Sequence, residues 1–128
     1  MDFLSKKEKE IEKEFINQGF IIRESANKDA LNKIQKFALE MLSRKGGNSL
    51  NNTHEIIRIN ELNNFRLEVI QEINSQPWLR EAYYKIAKPY LDVLVGNELA
   101  MQSRVNLSIQ LPDDNSSLLP VHADTWSG

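Results

Sequence analysis

A chain of 128 residues, 41% of them hydrophobic, is long enough to bury a core and too apolar to be disordered throughout. Its formal net charge of −2 gives no electrostatic basis for binding nucleic acid or an anionic membrane, and no apolar run approaches a bilayer span. The absence of cysteine excludes disulfides, zinc–thiolate sites and thiol nucleophiles together, and the charged start lacks the apolar stretch of a signal peptide, so a cytoplasmic location is expected.

Ser5-Lys6-Lys7-Glu8 has the form of a capping box, a hydroxyl at the N-cap with a carboxylate three residues on. It predicts a helix over Lys6 to Gln18, stopped by Gly19 in the left-handed conformation, with Leu4, Ile11, Phe15 and Ile16 as its apolar stripe. The alternating Lys and Glu read as a solvated face. Phe20 to Arg23 reads as a short strand. Asn27 is placed to cap a second helix over Lys28 to Arg44. Its stripe of Leu31, Ile34, Phe37, Ala38, Met41 and Leu42 recurs at helical spacing and is explained by core packing.

A polar loop follows, and then His54, read as a loop or surface histidine and not as a metal ligand. Glu55 to Ile59 has no clear period. Asn60 is placed to cap a helix over Glu61 to Asn74, and Pro77 suits the first turn of another that continues to Val95. Pro89 should kink or divide that helix, because it lacks an amide donor and crowds the preceding turn. Gly96 closes it.

From Arg104 the period changes. Val105, Leu107, Ile109 and Leu111 alternate with Arg104, Asn106, Ser108 and Gln110, the pattern of a strand with one packed face. Pro112 to Ser117 is a turn by composition, and Leu118 to Asp124 is a second extended run. There Leu119, Val121 and Ala123 share one face, opposite Pro120, His122 and Asp124. On a strand, His122 and Asp124 project side by side. They would supply two of the three donors of a 2-His-1-carboxylate iron site. Helices first and strands last, with no linker composition between them, predict an α+β chain: residues 1–98 mainly helical, residues 99–128 the strands bearing the metal pair.

R-V-N-L-S-I-Q-L-P (Arg104 to Pro112) and L-L-P-V-H-A-D-T-W-S-G (Leu118 to Gly128) resemble the phytanoyl-CoA-dioxygenase-like branch of the iron(II)/2-oxoglutarate oxygenases. Within it they look most like the oxygenases of sporadic bacterial carbohydrate-biosynthesis clusters, related to one from streptomycin biosynthesis. F-I-N-Q-G-F-I-I-R (Phe15 to Arg23) and G-N-E-L-A-M-Q (Gly96 to Gln102) add to the likeness. It spans nearly the whole chain but only the front part of the family's length.

The resemblance implies a double-stranded β-helix, a jelly-roll-like barrel of which this chain holds the first strands. It also implies Fe(II) bound by His122 and Asp124, and 2-oxoglutarate as cosubstrate. With O2, such enzymes yield succinate and CO2 and hydroxylate a small molecule, here a sugar or sugar-containing metabolite. The distal histidine and the residue gripping the far carboxylate of 2-oxoglutarate would fall after Gly128, so the chain by itself is expected to be inactive. Arg104, Asn106 and Gln110 are candidates to line the cosubstrate pocket, against the plainer reading of a solvated strand face. Trp126 reads as a core aromatic. Two alternatives are an inert helix-and-strand module acting in assembly, and a cupin-type metal protein. The second would want a histidine in place of Asp124 and a glutamate soon after.

Overall fold

The computed structural model describes residues 3–46, 49–55, 60–96 and 99–113. These hold α1 (Lys6–Gln18), α2 (Lys28–Gly46), a short 3-10 turn (Thr53–Glu55), α3 (Leu62–Asn74) and α4 (Leu79–Val95). None of them is in a β-strand, which corrects the expected α+β class: the described part is helical with irregular connections. The second extended run, Leu118 to Asp124, lies outside the described residues, as do Trp126 and residues 56–59 of the link after Glu55.

The packing divides into two compact units, Met1–Lys33 with Glu81–Met101, and Ile34–Arg80 with Gln102–Gly128. In the first, α1 begins with the expected reciprocal cap. The Ser5 amide donates to Glu8 Oε2 at 2.6 Å and the Glu8 amide to Ser5 Oγ at 3.3 Å. It ends at Gly19 with φ of 79°, a left-handed cap that a side chain would strain, and the Gly19 amide donates to the Phe15 carbonyl.

The predicted strand at Phe20 to Arg23 does not form. Phe20 and Ile22 are exposed, and the segment is tied to helices instead of to another strand. Arg23 pairs with Glu14, the Ala26 amide donates to the Ile86 carbonyl at 2.8 Å, and Tyr90 Oη donates to the Glu24 carbonyl at 3.2 Å. Asn27 caps α2 as expected, its Oδ1 accepting from the Ala30 amide at 2.9 Å. Among the described residues of this unit, Ile11, Ala30 and Ala82 are the buried apolar side chains.

α4 runs unbroken through Pro89, against the expected division. Pro89 is exposed, and the Lys85 carbonyl loses the intrahelical donor that a residue other than proline would supply there. Two i,i+4 pairs, Glu81 with Lys85 and Lys88 with Asp92, support the same helix.

The second unit holds the larger core. Met41 and Leu42 of α2, Val69 and Ile73 of α3, Leu79, Ile109 and Leu111 are buried together, with Phe37 meeting Trp78 edge-to-face at 5.4 Å. α3 starts one residue later than its expected cap. Glu61 takes the N-cap position in the left-handed region, with φ of 50° and no side-chain cap bond. Asn60 precedes it in a turn.

Candidate functional site

Burial follows the predicted alternation over residues 104–111. Val105 and Leu107 are half-buried and Ile109 and Leu111 are buried, while Arg104, Asn106, Ser108 and Gln110 are exposed. The apolar series joins the core of the second unit. The reading of an inward and an outward face therefore holds, but the reading of a strand in a sheet does not. The segment has no strand beside it among the described residues.

Two side chains of α3 stand where a neighbouring strand would. Asn74 Nδ2 donates to the Val105 carbonyl at 2.8 Å, and the Val105 amide donates to Asn74 Oδ1 at 2.8 Å. One carboxamide thus takes both backbone groups of one residue, as a strand neighbour does. Arg66 Nη1 donates to the Leu107 carbonyl at 3.2 Å and to Asn106 Oδ1 at 3.3 Å, while its Nη2 donates to Asn63 Oδ1 at 3.0 Å. Asn106 Oδ1 also accepts from the Leu107 amide at 2.9 Å.

Sequence reasoning missed both Arg66 and Asn74. Their spacing on α3 was the available signal: eight positions is a little over two turns, which puts them on one side of the helix.

The three cosubstrate candidates therefore differ. Arg104 is exposed at a bend, Gln110 is exposed on the same outward face, and the carboxamide oxygen of Asn106 accepts from Arg66 and from the Leu107 amide. An open groove of about 700 Å³ in the same unit is lined by Lys36, Glu40, Arg44, Leu50 and Asn51 among others, and none of the three candidates takes part in it. Arg44 is engaged there by Glu72 at 3.2 Å. The first unit contributes the groups with shifted ionisation. The side chain of Ser5 holds the Glu8 carboxyl below its ordinary range, and the Arg23 guanidinium does the same for Glu14.

His122 and Asp124 lie outside the described residues, and His54 falls within the 3-10 turn. Among the described residues no three or more His, Cys, Asp or Glu side chains converge as a metal site. None of the described helices is long and apolar enough to cross a membrane. No protein-family model, no curated protein and no solved structure matches the chain.

Proposed function

We propose that this chain is the front part of an iron(II)/2-oxoglutarate oxygenase acting in the cytoplasm on a sugar or sugar-containing metabolite. The observation that carries the reading is the succession in one stretch of a half-packed segment, a turn composition and the His122-x-Asp124 pair. The outward face of the half-packed segment supports it, since Arg104 and Gln110 remain on the solvent side, where a dicarboxylate could be met. His122 and Asp124 would supply a neutral imidazole and an ionised carboxylate, and a further donor is required for a closed 2-His-1-carboxylate set. When bound, the iron supplies the oxidative decarboxylation of 2-oxoglutarate that drives hydroxylation.

The test is anaerobic Fe(II) titration by calorimetry in the presence of 2-oxoglutarate. Binding is expected in the parent protein carrying the downstream sequence that would supply the further donor, and loss of it in both His122→Ala and Asp124→Ala, with helix content by circular dichroism unchanged. Binding that survives both substitutions, or no binding in the parent, overturns the assignment.

A further inference from the structure

A proline inside a helix removes one i→i−4 bond and crowds the carbonyl four residues back, and it ordinarily kinks or breaks the helix. α4 nevertheless carries on through Pro89 from Leu79 to Val95. At two places, groups before the proline are joined to groups after it.

The first brace lies within α4. Asp92, in the turn after Pro89, reaches back across it: Oδ1 accepts from Tyr84 Oη at 3.3 Å, and Oδ2 accepts from Lys88 Nζ. The Lys88 ammonium also stands 5.7 Å from the centre of the Tyr84 ring. Tyr84 and Asp92 are two turns apart, so they meet only while the turns on both sides of Pro89 stay in line.

The second brace is the link between α1 and α2. The Ala26 amide donates to the Ile86 carbonyl, before the proline, and the Glu24 carbonyl accepts from Tyr90 Oη, after it. That link is itself fixed at both ends. Arg23 pairs with Glu14 of α1. Ser25 Oγ accepts from the Asn27 amide at 3.3 Å and donates to the Asn27 carbonyl at 3.0 Å, and Asn27 caps α2. At about 3.6 residues per turn, Tyr84, Lys88 and Asp92 fall on one side of α4, and Ile86 and Tyr90 on the opposite side.

We infer that α4 is a latched hinge. Pro89 is its weak point, and the two braces on opposite sides hold the turns before and after it in line. With a brace released, the turns after Pro89 open by themselves while those before it stay helical. Because one brace is the link between α1 and α2, a disturbance of that link is transmitted to the end of α4.

Native-state amide exchange tests this on the parent, Asp92→Ala, Pro89→Ala and the double variant, with helix content followed by circular dichroism. In Asp92→Ala the Leu91 to Val95 amides are expected to exchange roughly three- to tenfold faster, the size of a coupling between contacting groups. The Tyr83 to Ala87 amides should keep their parent rates. Pro89→Ala restores the interior bond, so adding Asp92→Ala to it should change the Leu91 to Val95 rates by no more than about twofold, the effect of an ordinary i,i+4 pair. Tyr90→Phe, which removes only the hydroxyl bonded to Glu24, should speed the same amides after the proline. Equal acceleration by Asp92→Ala with and without Pro89 overturns the inference, since Asp92 would then be only a surface partner of Lys88. So does acceleration that is equal before and after Pro89, or the absence of any acceleration in Asp92→Ala and Tyr90→Phe. Leu91 to Val95 amides that already exchange in the parent as in an unfolded chain overturn it as well.

Discussion

At the residue scale the clearest electrostatic device is the cap of α1. The Ser5 hydroxyl and amide both engage Glu8 and favour its ionised form, which holds its carboxyl below the ordinary value of 4.5. Glu14 is lowered in the same direction, first by its hydrogen bond from Arg23, and Arg23 is raised in return. A carboxylate whose folded-state pKa is depressed adds stability that is present above 4.5 and is lost as pH falls through the depressed value. Both carboxylates sit at the surface, so water and salt screen the effect. The expected outcome is a Glu8 side-chain carbonyl titration by NMR with a midpoint below 4.5, returning toward that value in Ser5→Ala. The α1 amides should begin to exchange faster at the acid end of the parent titration. A midpoint that Ser5→Ala leaves unmoved would mean that the cap does not form.

At the element scale, what was legible in the sequence divides by range. The bounds of α1 were readable because a capping box and a terminal glycine are chemistry within a few residues of each helix end. Asn27 before α2 was readable for the same reason. The start of α3 was not, because Glu61 takes the cap position by adopting the left-handed conformation, a choice that no short-range preference favours. Nor do the sequence neighbours of Pro89 state that α4 continues through it.

The strand readings show the limit most plainly. Alternation reports which side chains face a core, and over residues 104–111 it did so correctly. Pairing needs a second segment, and period alone does not reveal one. Here α3 supplies Asn74 in that role, so Asn74→Ala should leave both backbone groups of Val105 without their partner. Loss of this part-buried pair is expected to lower stability by about 1–3 kcal/mol in urea denaturation. The Val105 amide should exchange faster in the same variant. A variant with unchanged midpoint and unchanged Val105 exchange would show that solvent already serves those groups. The candidate site was legible to the same depth: the outward face of Arg104 and Gln110 came from period, while the bonds of Asn106 to Arg66 came from a helix distant in sequence.

At the scale of the whole molecule, apolar burial is unequal between the two units. The second gathers Met41, Leu42, Val69, Ile73, Leu79, Ile109 and Leu111 into one core, with Val69 and Leu79 almost wholly enclosed. The first buries Ile11, Ala30 and Ala82, and leaves Ile16 at 72% and Ile22 at 79% exposure. Hydrophobic stabilisation scales with the apolar area removed from water, so the elements around Val69 should open only with the unfolding of their own core. α1, with Ile11 as its buried residue, should open at a lower free energy. Native-state amide exchange is therefore expected to be slowest near Val69 and Ile73 and much faster along α1. Leu79→Ala separates the two. Truncating so enclosed a side chain should cost about 2–5 kcal/mol, and the exchange of the α3 amides should accelerate accordingly. The α1 amides exchange through a smaller opening that does not break the Leu79 core, so their rates should stay as in the parent. Equal protection of α1 and α3 in the parent, or equal acceleration of both in Leu79→Ala, would mean that the chain unfolds as one cooperative body and that burial within each unit does not set its stability.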